Sequence, residues 1–219
     1  MKQALIYLIA AVVQLALALW LRGGALLLLW TGVACLLVGL AYAGLGARVF
    51  GKRADGSLAW WAWVLLLPYL GFTHAVWKIK RRFSKETLYD EIVPGLWIGR
   101  RVLGDELPAG VQLVVDLTCE FAEPSSVLQR CEVRCLPTLN YGVPPVAALQ
   151  TLMTELADRD GLYIHCAQGH GRSAVVAAAV LVRRGVAATV GEAVEMVVRV
   201  RPKTHLEDCQ KQLLRNLPL

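Results

Sequence analysis

The sequence predicts an α/β domain with a central, mostly parallel sheet flanked by helices, preceded by about three transmembrane helices. Long apolar runs occupy the first third of the 219-residue chain, whose hydrophobic content is 56% and whose mean hydropathy is +0.49. After that third, short apolar runs alternate with helical patterns, which is typical of a parallel sheet. We therefore divide the chain into a membrane region at residues 1–87 and a second domain at residues 88–219.

Three apolar runs in the first region, at residues 4–21, 25–47 and 58–77, are each long enough to cross a membrane as a helix. A hydrocarbon core of about 30 Å needs roughly 20 residues. Tryptophans lie near the ends of these runs, where interfacial tryptophans are common: Trp20, Trp30, Trp60, Trp61 and Trp77. A cleaved signal peptide is the alternative for the first run, but two more runs follow. The pattern predicts a multi-pass integral membrane protein.

Basic residues are concentrated in this region. Ten of the 23 Lys and Arg residues precede Thr87, with only Asp55 and Glu86 as acids. The largest basic cluster, between Lys78 and Lys85, follows the third run and predicts a cytoplasmic second domain held near anionic lipid. With three crossings, the basic residues between the second and third runs lie on the other side and oppose this orientation. The second domain has a slight acidic excess, which argues against a nucleic-acid partner.

Four strand segments are predicted in the second domain. Residues 91–99 form paired short strands that turn at Pro94-Gly95, a dipeptide typical of turns. Three apolar runs then predict single strands at residues 111–117, 131–136 and 162–166.

Four helices are predicted between and after these strands. The first covers residues 144–159 and starts with two prolines, which are favoured in a first helical turn. The second, at residues 173–184, ends before Gly185, because glycine commonly terminates helices. Thr189 and Glu192 form a capping box for the third, at residues 190–200. Residues 206–217 form the last helix.

A strand, a glycine-containing loop and a helix follow one another at residues 162–173. Backbone N–H groups and the helix dipole at such a junction suit a phosphate-sized dianion and lower the pKa of a thiol placed there. Cys166 is the candidate nucleophile, Arg172 can grip two phosphate oxygens, and Ser173 can donate a hydrogen bond to the sulfur. The predicted phosphate-binding residues are Ala167, Gln168, Gly169, His170, Gly171 and Arg172. These groups are the ones required for a cysteinyl-phosphate intermediate.

A metal site is the alternative for this region, with five candidate ligands: His165, Cys166, His170, His205 and Cys209. Their spacing fits no familiar zinc pattern and leaves Arg172 unexplained. We therefore predict neither a metal nor an organic cofactor, because thiolate, arginine and backbone amides stabilise the transferring phosphoryl group themselves.

The pattern His165-Cys166, five further residues and Arg172-Ser173 resembles the cysteine-dependent protein-tyrosine phosphatase superfamily, and most closely its dual-specificity branch. Residues 91–99 are also similar to the opening of such domains. The resemblance covers about residues 88–216 and implies a phosphoric monoester hydrolase that acts on phosphorylated protein or on a phospholipid. It also implies that His165 orders the loop and tunes the thiolate.

The resemblance further implies a general acid, an aspartate on a loop upstream of the cysteine. The matching position is Asn140, whose amide cannot donate a proton in this way. Asp116 is the candidate replacement, because its strand ends at the same sheet edge as Cys166; a capping aspartate is the alternative. Two other hypotheses are a substrate with a good leaving group and a catalytically weak, phosphate-binding pseudophosphatase.

Overall fold

The computed structural model describes residues 2–21 and 25–218, in two compact units. The first unit comprises the N-terminal helices to Ser84, without Ala54–Gly56, together with Cys119–Ala122. The second comprises Ala54–Gly56, Lys85–Thr118 and Glu123 onward. Arg22, which contributes to the charge pattern above, lies outside the described residues.

Among the described residues, three helices of the first unit are long and apolar enough to cross a membrane. They are α1 (Lys2–Leu21), α2 (Leu26–Leu40), which a further helical turn extends to Leu45, and α3 (Trp60–Phe83). Gly32 and Gly39 allow α1 and α2 to pack closely, since a Cβ atom there would lie 2.9 and 2.8 Å from the Leu15 and Leu8 side chains. Both glycines thus have a packing role in the helix pair.

A short segment of the chain, Cys119–Ala122, also belongs to the first unit. The Phe121 ring lies 4.6 Å from the His74 ring and 6.0 Å from the Trp77 ring, centroid to centroid. Lys52 donates a hydrogen bond to the Phe121 carbonyl oxygen. Phe121 is consequently almost fully buried.

The second unit contains the predicted, mostly parallel sheet. Its strands are β1 (Tyr89–Val93), β2 (Leu96–Arg100), β3 (Leu113–Thr118), β4 (Glu132–Thr138) and β5 (Leu162–Cys166). Their spatial order is β1-β2-β5-β3-β4, with β1 antiparallel to β2 and the other pairs parallel. The predicted turn at Pro94-Gly95 joins β1 to β2, with Gly95 at φ 80°.

In the described part of the second unit, five α-helices accompany this sheet: α4 (Ser125–Leu128), α5 (Val146–Leu156), α6 (Arg172–Arg183), α7 (Val190–Val200) and α8 (Asp208–Asn216). The short α4 was not predicted. Helix α5 is shorter than predicted at both ends: it begins after the two prolines and ends at Leu156. The predicted N-cap of α7 is confirmed, because the Thr189 hydroxyl accepts a hydrogen bond from the Glu192 amide. The second half of the predicted capping box differs: the Glu192 carboxylate accepts from the Ala188 amide and not from the Thr189 amide.

The two faces of the sheet carry different residues. Helix α6 covers one face, where Leu117, Ile164 and Cys166 join its buried alanines and valines in the main core. Because side chains alternate along a strand, Asp116 and His165 lie on the other face. Cys166 itself ends β5, at the carboxyl edge where parallel sheets place their sites.

Candidate active site

The loop from Cys166 to Arg172 folds around the cysteine sulfur. The Gly169 amide donates a hydrogen bond to Cys166 Sγ at 3.2 Å. Gly169 has φ 78°, and a Cβ atom there would lie 2.5 Å from the carbonyl carbon and oxygen of Gly99 in β2. Both its left-handed backbone and the close approach of β2 therefore require glycine at this position.

The thiol of Cys166 is buried but electrostatically activated. Ser173 Oγ lies 3.5 Å from Cys166 Sγ. Burial by itself raises the pKa of the thiol, but the Arg172 charge and hydrogen bonds from Ser173 and Gln168 outweigh it and lower the pKa to about 7. A large fraction of Cys166 is therefore the nucleophilic thiolate at neutral pH.

The guanidinium of Arg172 contacts backbone carbonyl oxygens at the carboxyl ends of β3 and β4. Its Nη1 donates to the carbonyl oxygen of Thr138 at 2.9 Å and approaches that of Leu117 at 3.5 Å. Only 4% of Arg172 is exposed. This buried charge, beside the sulfur and fixed by backbone acceptors, is suited to bind phosphate oxygens at the loop.

His165 lies on the opposite sheet face between two buried acids. Its Nε2 is 3.4 Å from Glu123 Oε2 and 3.9 Å from Asp116 Oδ1. Burial lowers the pKa of His165, but the two carboxylates outweigh it and raise the pKa above its ordinary value. The two carboxylates thus favour the imidazolium form of His165, whose positive charge lies directly before the nucleophile in the chain.

The same three residues are the group in the described chain whose side chains come nearest to a metal-ligand arrangement. One potential ligand atom from each lies within 4.8 Å of the others, and all three side chains are buried. Asp116 Oδ1, however, already accepts hydrogen bonds from the amide and the hydroxyl of Thr118, both at 2.7 Å. Protonation of His165, which the two carboxylates favour, would place a positive charge beside them.

Asp116, the candidate acid, is fully buried. In the β3–β5 register it lies opposite His165, so its side chain is on the sheet face away from Cys166. This position does not favour proton donation to a leaving group at Cys166. The two hydrogen bonds from Thr118 fit the alternative of a capping aspartate.

Asn140 is exposed in the loop between β4 and α5, where Tyr141 has φ 62°. This loop is connected to the phosphate loop by Gln210 of α8, which is 1% exposed. Gln210 Nε2 donates to the Gly142 carbonyl at 2.9 Å, and its Oε1 would lie 3.5 Å from a Cβ atom on Gly171. Gln210 was not predicted from the sequence, because α8 contains several polar residues and no pattern distinguishes this one.

Ion pairs stabilise the outer side of the phosphate loop. Arg201 is buried. Its Nη2 donates a hydrogen bond to the Gln168 carbonyl oxygen at 3.1 Å, and its Nη1 forms an ion pair with Asp90 Oδ2 at 2.6 Å. His170 Nε2 lies 3.0 Å from Glu86 Oε1, and burial lowers the pKa of His170 despite this carboxylate. His170 is therefore mainly neutral at pH 7. Neither Arg201 nor Glu86 was predicted from the sequence to lie at this loop.

Comparison with solved structures finds the same fold. A variant of human DUSP28 is 22% identical, and the match covers 60% of this chain and 94% of that one with a TM-score of 0.54. Tk-PTP in its active form is 26% identical, with 59% and 95% covered and a TM-score of 0.53. PTPMT1 in complex with PI(5)P is 22% identical, with 60% and 94% covered and a TM-score of 0.52.

No curated protein matches the chain in sequence. One family model does match, over residues 103–217, and it describes the DSP-PTPase phosphatase domain of Swiss Army Knife proteins, PTP-SAK. The matched residues are just over half of the chain and contain β3, β4, β5 and the whole phosphate loop. The protein therefore belongs to the PTP-SAK family of dual-specificity-type phosphatase domains.

Proposed function

We propose that this protein is a membrane-anchored phosphatase that hydrolyses phosphomonoesters through a cysteinyl-phosphate intermediate. The observation that carries the proposal is the Cys166 thiol, whose pKa is lowered to about 7 within a loop that also presents Arg172 and Ser173. The thiolate attacks phosphorus, so that a P–S bond forms while the P–O bond to the leaving group breaks. Arg172 and the loop amides stabilise the charge on the transferring phosphoryl group.

The second step regenerates the enzyme. Water attacks the phosphocysteine, the P–S bond breaks, and inorganic phosphate leaves. Ser173 Oγ, 3.5 Å from the sulfur, donates a hydrogen bond to the departing thiolate. His165, with its partners Glu123 and Asp116, acts as a positioning residue for the loop rather than as a base.

The proton for the leaving group is the incomplete part of this site. Asn140 occupies the matching loop position, and Asp116 lies on the far sheet face. A phenolate, with a pKa of about 10, leaves with less help from an acid than an alkoxide does. We therefore infer a preference for aryl esters, which makes phosphotyrosine in proteins the first substrate class.

A phospholipid headgroup phosphate is the second candidate. It is supported by the three apolar helices and by the basic cluster from Lys78 to Lys85, which attracts anionic lipid. A membrane anchor would bring the site close to such a substrate. The third candidate, a catalytically weak phosphate-binding domain, is motivated by Asn140 alone.

Phosphate release by the full chain in lipid nanodiscs tests these candidates. The substrates are an aryl phosphate, a phosphotyrosine peptide, a phosphoserine peptide and a phospholipid phosphate, each with Cys166→Ser as the control. Cysteine-dependent turnover with aryl esters preferred supports the first candidate, and preference for the lipid supports the second. Vanadate binding without turnover on any substrate would leave the phosphate-binding domain.

We propose that the second unit, which contains Cys166 and is called the phosphatase unit from here on, faces the cytoplasm. Its nucleophile requires a reduced thiol, which cytosolic thiol systems maintain. The basic cluster after α3 agrees with this orientation.

A further inference from the structure

The chain segments that precede and follow helix α3 belong to the same compact unit. Ala54–Gly56, just before α3, and Lys85–Thr118, just after it, both belong to the phosphatase unit. The Glu123 amide donates to the Gly56 carbonyl oxygen at 2.8 Å. A Cβ atom on Gly56 would lie 2.9 Å from Glu123 Cβ and 3.4 Å from the Leu128 side chain. The segment before α3 is thus closely packed within this unit.

This arrangement restricts the path of the chain through a membrane. A folded unit with loops and sheet edges does not lie across a hydrocarbon core, because its backbone polar groups would lose their partners there. Residues 54–56 and residues 85 onward must therefore lie on one side of the bilayer. We propose that α3 does not cross the membrane, and that the chain crosses it only twice, through α1 and α2.

The distribution of basic residues supports two crossings independently of the packing. With two crossings, Lys2, the group Arg48, Lys52 and Arg53, and the cluster from Lys78 to Lys85 all share the phosphatase side, and Arg22 alone is opposite. With three crossings, the Arg48 group lies opposite the larger cluster. The positive-inside rule favours the first arrangement strongly and the second only weakly.

The composition of α3 fits a helix that enters the membrane interface from one side. It has the lowest mean hydropathy of the three apolar helices, and basic residues fill its last turns. Arg81 lies over the Trp77 ring at 5.3 Å. Its exposed apolar residues match the aromatic and aliphatic side chains of interfacial helices: Trp60, Trp63, Val64, Leu67 and Phe72. We infer that these side chains contact lipid, and that the basic last turns of α3 contact anionic headgroups on the side of the bilayer where the phosphatase unit lies.

Labelling with a membrane-impermeant maleimide tests this topology in the full chain. Three single-cysteine proteins are compared: native Cys209, which is exposed in the phosphatase unit; Ala54→Cys, before α3; and Gly23→Cys, between α1 and α2. The other cysteines are replaced by serine or alanine. Each protein is labelled in sealed vesicles of both orientations and again after detergent permeabilisation, which reveals any site that is merely inaccessible.

Two crossings require that Ala54→Cys and Cys209 label in the same vesicles and that Gly23→Cys labels in the opposite ones. Labelling of Cys209 together with Gly23→Cys, in the vesicles opposite to those that label Ala54→Cys, is the pattern of three crossings and would overturn the proposal. Arg53→Cys, at the neighbouring exposed position, replaces Ala54→Cys if that variant is absent from the membrane fraction. Since the readout is labelling, the result does not depend on phosphatase activity.

Discussion

The ionisation of Cys166 results from opposing contributions at a single atom. Burial favours the neutral thiol, whereas the Arg172 charge and the Ser173 and Gln168 hydrogen bonds favour the thiolate, and the net pKa is about 7. The same sulfur must later leave from phosphorus, and a stabilised thiolate leaves more readily. Attack and departure therefore depend on the same few hydrogen bonds.

Alkylation measures this balance directly. We expect the rate of Cys166 modification by iodoacetamide to rise with pH around an apparent pKa of about 7. In Ser173→Ala the apparent pKa should be higher, because a hydrogen bond to the thiolate is lost. Site-resolved mass spectrometry follows Cys166 beside exposed Cys209, which serves as an internal reference. A Cys166 profile that coincides with that of Cys209 would contradict an activated thiol.

The buried His165 links folding stability to pH. Its pKa in the folded state is raised above the ordinary value of about 6.5, so its contribution to stability is complete below that value and is lost as pH rises through the folded pKa. Cys166 has the opposite effect, because its lowered pKa adds stability as pH rises above about 7. The two effects must be separated experimentally.

Thermal unfolding of Cys166→Ser from pH 6 to pH 9 isolates the histidine. We expect its melting temperature to fall with rising pH, and to fall less steeply when Glu123→Gln is added, because that carboxylate is the main cause that raises the pKa of His165. Glu120→Gln is the matched control, since Glu120 accepts hydrogen bonds from Cys119 instead. Equal pH slopes with and without Glu123→Gln would show that this pair does not set the titration.

At the scale of elements, α8 connects two loops that approach the substrate site. Gln210 donates to Gly142 in the β4–α5 loop and lies against Gly171 of the phosphate loop. Its Oε1 also accepts a hydrogen bond from the Glu207 amide at the start of α8. The buried Gln210 side chain thus contacts the start of α8, the loop that contains Asn140 and the loop that contains Cys166.

Gln210→Leu should leave the Gly142 carbonyl without its buried donor, at a cost of about 1–3 kcal/mol. If loop position limits turnover, kcat should fall by about tenfold, which corresponds to roughly 1.4 kcal/mol, with a smaller change in KM. Gln212→Leu is the matched control on the exposed side of α8. Equal kcat values for the two variants would mean that Gln210 serves stability alone, which their melting temperatures would then show.

The β4–α5 loop allows a gain-of-function experiment. Asn140→Asp places a carboxylic acid where the family resemblance expects one, and a positioned acid typically contributes about 10²–10⁴-fold. We expect turnover of alkyl phosphates to rise by at least about tenfold, with a smaller gain for aryl phosphates, whose leaving groups need less protonation. The gain should diminish at pH values where the new acid is ionised. An unchanged alkyl-to-aryl ratio, measured beside Asn140→Ala, would show that this loop does not deliver the acid.

For the whole molecule, neither compact unit is a single continuous stretch of the sequence. Ala54–Gly56 belong to the phosphatase unit, although the residues on both sides of them belong to the first unit, and Cys119–Ala122 belong to the first unit. A soluble fragment that starts at Lys85 therefore loses the Gly56 carbonyl, which is the acceptor for the Glu123 amide. It also loses His74 and Trp77, which cover Phe121.

We expect the fragment at residues 85–219 to unfold at a lower temperature than the same domain within the full chain, and to aggregate. Phe121→Ser should reduce aggregation of the fragment, because it removes a large apolar side chain that the helices no longer cover. The same substitution in the full chain should instead lower stability. Differential scanning fluorimetry and light scattering report both effects, and a fragment as stable and soluble as the full chain would argue against a structural role for these segments.

Features that depend on contiguous residues could be predicted from the sequence alone. The apolar runs predicted α1, α2 and α3, and the alternation of strands and helices predicted the mostly parallel sheet. The residues from His165 to Ser173 predicted the phosphate loop, because each of its groups lies within a few residues of Cys166. Such features are local, since backbone geometry over one strand, one turn and one helix is encoded in adjacent residues.

The groups from distant parts of the chain that face this loop became evident from the tertiary fold. Asp116 was a candidate acid by its place at a strand end, but the β3–β5 register puts its side chain beside His165, away from Cys166. Gln210 and Arg201 contact loops far from them in sequence. Whether α3 crosses the membrane likewise depends on where Gly56 packs, which no pattern within α3 contains. Strand register and long-range packing arise from contacts between separate parts of the chain, so a sequence pattern does not specify them.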